Sequence, residues 1–279
     1  MTGPIGSRSS SSSRTGSRST GGLDNPAARI MFRRVGGVVC ALLIWELFSE
    51  TGVINKSALP TPQATAVAFV HNLSGLGRGA LGTLDAWGLG LLAASVFGVA
   101  IGVVVGRSRV ADSLTETLVR MMRPLPSLAL IPIAILIAGL GLKMTAGLVS
   151  FAAFWPIFIN TRVGVRQIDN LILETGRMLG MGRLELIRKV VIPAALPMIA
   201  TGVQVAISLA LVVTVSVELV GGTGGLGQFV LVAQQGGATA TMYAGIILGG
   251  MLGWALSMGY SRIVDHWIPW RSRGQVTTS

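Results

Sequence analysis

The 279 residues are 51% hydrophobic and only 12% charged, with a mean hydropathy of +0.69, a net charge of +11 and 38 glycines. A soluble domain carries about 25% charged residues, so the composition points to a membrane protein, and its long apolar runs point to an all-α one. Cys40 is the only cysteine, which excludes a disulfide framework or cysteine metal site within one chain; it sits in an apolar run and reads as a small buried apolar side chain.

In chain order, residues 1–34 hold six arginines and one acid, Asp24, among serines and glycines. A segment with no apolar period cannot bury a core and is expected to be a disordered cytoplasmic tail beside anionic lipid; transit peptides share this composition. Residues 35–265 form the expected membrane domain and residues 266–279 a short C-terminal cytoplasmic tail. Six apolar runs are long enough to cross a hydrocarbon core of about 30 Å: Val35–Val53, Thr83–Val105, Pro124–Leu142, Thr145–Val163, Ala194–Val217 and Thr241–Val264. Between the first two, "LPTPQATAVAFVHNL" is too short and polar to span and is expected as a surface helix. Pro126 and Pro132 remove backbone donors from the third run and should bend it, freeing carbonyls toward a cavity.

Lys and Arg fix the orientation. With both termini in the cytoplasm, nineteen of them fall on the inside segments, and three, Lys56, Arg78 and Lys143, fall outside. The multi-pass chain therefore places its charged segment over about 166–193 in the cytoplasm. There, "ETGRMLGMGRLELIRKVVIP" runs from Glu174 to Pro193, with Leu179, Leu184, Ile187 and Val191 at helical spacing and Gly180 and Gly182 between two expected short helices. Glycine accepts positive φ freely, so this pair offers a sharp turn. A helix–turn–helix at a membrane surface presents a ridge suited to a partner, although a solvated connector would carry the same charge bias.

This stretch resembles the EAA loop of bacterial ABC importer permeases. Glu174, Gly180 and Pro193 fall at the spacing of that motif, Val190 and Ile192 stand for its Ile and Leu, and Thr175 and Gly176 replace its two alanines. "RPLPSLALIPIAIL", "FWPIFINTRVGVRQID" and "VELVGGTGGLGQFV" are similar to the permeases for nitrate, sulfonates and taurine, and the resemblance covers roughly residues 35 to 270. It implies a type I importer permease of the bacterial cytoplasmic membrane. A second copy of the permease, two ATPase subunits and an extracytoplasmic substrate-binding protein would complete the transporter. Contact with the ATPase is implied for Glu174, Arg177, Met178, Leu179, Gly180, Met181, Arg183 and Leu184. The implied substrate is a small solute, often anionic; sulfonates, taurine, nitrate and small heterocycles stay open.

No G-x-x-x-x-G-K-[ST] occurs, so ATP and Mg are expected on the partner ATPase and no cofactor on this chain. Gly222–Gly227 satisfies G-x-G-x-x-G, but it follows a membrane helix rather than a strand, which argues for a flexible extracellular gate loop over a dinucleotide site. His71 and His266 are far apart, no metal spacing occurs, and no Ser, His and Asp arrangement points to an intramembrane enzyme. Nucleic acid is not an expected partner, because the positive charge is spread along one membrane face beside lipid.

Glu46, Asp85 and Glu218 lie near the outer ends of spans, where a carboxyl can be hydrated or hydrogen-bonded. Glu218, leading into the glycine-rich loop, is the strongest functional candidate among them. Thr201, Gln204 and Ser208 share one face of the fifth span, and Asn160 and Thr161 interrupt the fourth. Polar groups in lipid face either a neighbouring helix or water, so these five, with Glu218, are expected to line a translocation pathway or to join helices. A secondary transporter or channel is the rival reading; it would need coupling acids near the bilayer midplane, and none is seen.

Overall fold

The computed structural model describes residues 26–51, 58–122, 126–221 and 224–267. The expected tail before Pro26, the residues beyond Trp267, and Gly222 and Thr223 lie outside the described residues. Among the described residues the regular structure is entirely helical. In order the helices are α1 Pro26–Glu50, α2 Pro62–His71, α3 Leu73–Arg107, α4 Arg109–Met122, α5 Ile131–Ala138, α6 Leu142–Arg166, α7 Asn170–Met178, α8 Arg183–Leu186, α9 Ile192–Gly221, α10 Gly225–Gln235 and α11 Thr239–Trp267.

Helices α3, α6 and α9 form the centre. Their closeness has a local cause: Gly90, Ala94, Gly98, Gly102 and Gly106 recur every fourth residue of α3 and lie along one ridge. A Cβ on Gly98 would stand 3.0 Å from Ile157 Cγ2, and one on Gly102 2.8 Å from Thr161 Cβ. Without a hydrophobic driving force between helices in lipid, such close backbone approach supplies the dispersion energy that holds them. On the other side of α6, Gly202 of α9 sits where a Cβ would meet the Pro156 carbonyl at 2.9 Å. Ala94, Val149, Ala153, Ile157, Ala206 and Ala210 fill the seam, each fully buried. Trp87 joins α3 to α9 by donating its indole N–H to the Ile207 carbonyl at 3.1 Å.

Among the described residues four helical segments are long and apolar enough to cross a membrane: Leu73–Arg107, Leu142–Arg166, Arg183–Gly221 and Thr239–Trp267. A fifth arises if Val110–Met122 and Ser127–Ala138, bent 83° from one another, count as one span. The third expected span is therefore not a single helix. Pro126 begins a short 3-10 turn, Ser127–Leu130, and Pro132 opens α5, where its missing N–H costs nothing. Helix α1 starts at Pro26, inside the segment expected as tail, and its apolar residues from Val38 to Phe48 are mostly exposed. Cys40, expected to be buried, is exposed on this helix. Trp45 anchors α1 by donating to the Pro60 carbonyl at 3.0 Å and by stacking on Tyr243. The segment expected as a surface helix is α2, capped by the Thr61 hydroxyl on Ala64 N–H.

Candidate functional site

The charged loop is built as a ridge. Asp169 caps α7 through its carboxylate, which accepts from Leu171 N–H at 2.9 Å. The helix ends at Met178, and Gly180 reverses the chain with φ +79°. Gly182 is extended, at φ −67°, so only the first of the two glycines uses the freedom expected of both. Gly176, in place of an alanine, has a second role: a Cβ there would stand 2.6 Å from Leu186 Cδ1, so its absence lets α8 close onto α7.

The second helix of the loop is not a separate short helix. Helix α8 continues through a π-turn, Ile187–Val191, into α9, as one unbroken segment from Arg183 to Gly221. Pro193 cannot donate to the carbonyl four residues back, and a wider turn just before it accommodates the missing bond. The ridge is thus rigidly continuous with a central span.

On this ridge Met178 is 86% exposed, Leu179 72% and Leu184 79%. Glu174, Arg177 and Arg183 are exposed around them, and Met181 is half-buried. Leu171, Ile172, Thr175, Leu179 and Val190 border an apolar depression of about 340 Å³ beside the turn. Apolar side chains this exposed, rimmed by charge, mark an interaction surface.

A second feature lies inside the bundle. A cavity of about 540 Å³ opens between α6, α9 and the 3-10 turn, lined by Pro126, Ser127, Phe151, Trp155, Asn160, Val205 and Leu209, among others. Asn160 donates to the Pro156 carbonyl at 2.8 Å and borders this space. Among the described residues its lining holds no charged side chain.

The other residues expected on a pathway are not gathered there. Thr161 is fully buried and packs against Gly102. Gln204 donates to the Ser261 hydroxyl at 3.1 Å and joins α9 to α11. Thr201 returns its hydroxyl to the Pro197 carbonyl of its own helix. Ser208 borders a separate, apolar cleft between α9, α10 and α11. Glu218 is 1% exposed and enclosed rather than open to a pathway: its Oε2 accepts from the Thr83 hydroxyl and from Gly227 N–H, both at 2.9 Å. Gly225–Gly227, expected as part of a flexible loop, instead begin α10, and Leu226 is buried. Two successive glycines at positive φ, Gly224 at 89° and Gly225 at 92°, turn the chain from α9 into α10 tightly enough for the carboxylate to cap it.

One cluster had no signal in the sequence beyond helical charge. Asp112, in the first turn of α4, is 6% exposed and accepts ion pairs from both Arg162 and Arg166 of α6. The two arginines are four residues apart and therefore on one face, but which carboxylate they meet depends on how α4 folds back.

The family model for the binding-protein-dependent transport system inner membrane component matches residues 94–273. The bicarbonate transport system permease protein CmpB of Synechococcus elongatus is 29% identical, over 86% of this chain and 87% of its own length. The taurine transport system permease protein TauC of Escherichia coli K12 is 26% identical, over 90% of this chain and 94% of its own. In three dimensions the fold matches a chain of the MetNI methionine ABC transporter in an inward-facing conformation, with a TM-score of 0.61 over 70% of this chain and 97% of that one, at 23% identity.

Proposed function

The chain belongs to the family of binding-protein-dependent transport system inner membrane components, and on that premise we propose that two copies of it form the translocation pathway of an importer driven by two separate ATPase subunits. It is a multi-pass inner membrane protein. The observation that carries the ATP-driven reading is the exposed ridge Met178–Leu184, turned at Gly180 and continuous through a π-turn with α9. Helices in lipid can leave apolar side chains exposed at no cost, but a charged cytoplasmic loop cannot, so Met178, Leu179 and Leu184 await a protein surface. Each ATPase would take this ridge into a cleft, with Glu174, Arg177 and Arg183 at the rim.

In this reading the chain crosses the membrane six times, with α1 as the first span, α5 in the third, and the charged helix α4 on the cytoplasmic side before it. Both ends lie in the cytoplasm, which the distribution of Lys and Arg supports. An extracytoplasmic binding protein delivers the solute, and ATP and Mg are held by the ATPases. Substrate passes along the cavity bordered by Ser127, Trp155 and Asn160, completed by the second copy. Neutral hydrogen-bonding groups with no fixed charge suit transient passage of a small polar or anionic solute, since a path must bind weakly enough to release. Bicarbonate and taurine, named for two relatives, are solutes of this type.

Co-expression with the candidate ATPase and binding protein tests the reading. The expected result is a complex that hydrolyses MgATP and accumulates labelled taurine or bicarbonate only when the binding protein is present. A chain that purifies alone and drives uptake from an ion gradient would overturn it in favour of a secondary transporter.

A further inference from the structure

We propose that Asp112 is a positioning residue that carries movement of the Met178–Leu184 ridge to the wall of the 540 Å³ cavity; this rests on the ATP-driven reading above. Three observations make the link. First, one buried carboxylate holds two arginines a helical turn apart, Arg162 and Arg166. Two partners on successive turns fix α4 in both position and register against α6, which a single pair would not do. Second, those arginines end α6 just before Asp169, whose carboxylate caps α7. A displacement of the ridge is therefore applied to the chain within a few residues of the clamp. Third, α4 reaches the cavity through packing: Val119, 8% exposed, joins Val105 and Phe158 in one buried cluster, Trp155 packs against that cluster, and Trp155 borders the cavity. Pro126 and Ser127, four and five residues beyond the last residue of α4 in sequence, border the same cavity.

The clamp is suited to two arrangements rather than a gradual shift. Ser108 caps the first turn of α4, its hydroxyl accepting from Ala111 N–H at 3.2 Å, which holds the turn that carries Asp112 in helical form. A buried carboxylate separated from both arginines is strongly disfavoured, so α4 either follows the end of α6 or leaves it entirely. Arg166 is half-exposed while Arg162 is 13% exposed at its side chain; solvent can replace the outer contact before the inner one opens. A contiguous set of packed side chains of this kind is the physical route by which two sites become coupled.

The test uses the assembled permease–ATPase complex in lipid nanodiscs, with Cys40→Ser as background and Ser127→Cys as a reporter on the cavity wall. The readouts are MgATP hydrolysis and the rate of maleimide labelling at the reporter, nucleotide-free and trapped with MgATP and vanadate. In the background the labelling rate should depend on nucleotide. Asp112→Asn should keep hydrolysis per complex while that nucleotide dependence shrinks about fivefold or more, the lower end of ordinary coupling between sites. Asp112→Glu should restore it. If Asp112→Asn fails to assemble, Arg166→Gln, which removes only the outer contact, should reduce the nucleotide dependence with the complex intact. Wild-type nucleotide dependence in whichever of these variants assembles would overturn the proposal. A background complex that binds no ATPase, or whose labelling ignores nucleotide, would instead overturn the ATP-driven reading beneath it.

Discussion

The hydroxyl of Thr83 donates to the carboxylate of Glu218 at 2.9 Å across 135 residues of chain, and the same oxygen accepts Leu226 N–H at 2.8 Å. One threonine on α3 thus satisfies both the last acid of α9 and the first turn of α10. The three helices meet at that point because Gly79 and Gly82 of α3 let the backbone at Gly225 approach to 3.3 and 3.1 Å of where their Cβ atoms would be.

Thr83→Val keeps the shape of that side chain and removes both hydrogen bonds. Each buried group left without a partner costs about 1–3 kcal/mol. The variant in detergent should melt several degrees lower, and protease should cut first in the turn between α9 and α10. Thr83→Ser should behave as wild type. An unchanged melting temperature for Thr83→Val would mean that water reaches the site and the network is not a structural lock.

The ridge of small residues on α3 should be uneven in its tolerance. Gly102→Ala places a Cβ 2.8 Å from Thr161 Cβ on the neighbouring helix, and overpacking of this type costs about 1–3 kcal/mol. Gly88→Ala meets nothing within 4 Å and gains up to about 1 kcal/mol of helix propensity. Thermal unfolding of the two variants should therefore shift in opposite directions. Equal shifts would show that the α3–α6 contact relaxes freely.

At Gly180 the backbone alone decides. Its φ is +79° and a Cβ there would meet nothing within 4 Å, so any defect comes from strain and not from collision. A β-branched residue in this region costs about 1–3 kcal/mol, too little to unfold the central bundle but enough to misplace the ridge. Gly180→Val should leave the chain inserted while ATPase stimulation and uptake fall together. Gly180→Asn, which tolerates positive φ, should retain most of both. Wild-type coupling in Gly180→Val would remove the ridge from the mechanism.

Topology can be read with short tags. A tag between Gly236 and Gly237, in the turn that joins α10 to α11, should be reached by an impermeant reagent from outside the cell. A reporter fused after Ser279 should behave as cytoplasmic. A reversed pattern would contradict the six-span arrangement built on the positive-inside distribution.

The sequence by itself determined what depends on neighbours along the chain. Apolar runs located most of the long helices, since hydrophobic length against bilayer thickness is a local property. The side on which Lys and Arg gather supplied the expected orientation. The spacing of Glu174, Gly180 and Pro193 located the loop, because a left-handed turn needs a glycine at one position and Gly180 supplies it. The same local reasoning went astray where the chain's own signals were ambiguous. Gly222–Gly227 read as an open loop, because glycines at positive φ look alike whether they face water or pack tightly; Gly225–Gly227 in fact begin α10, with Leu226 and Gly227 buried. Likewise, periodicity put Thr201, Gln204 and Ser208 on one face but could not say what that face meets.

Only the tertiary structure decided which polar groups find each other. Gln204 turns to Ser261 on α11, and Asn160 turns to the cavity. Glu218 is enclosed by Thr83 and Gly227, and Asp112 is held between Arg162 and Arg166. These pairings join residues from distant parts of the chain, and their partners are set by helix rotation and crossing. Rotation and crossing follow in turn from where α3, α6 and α9 can approach most closely, at Gly98, Gly102 and Gly202. Close packing in lipid rewards backbone contact rather than burial from water, so a hydropathy pattern carries no record of which faces will meet.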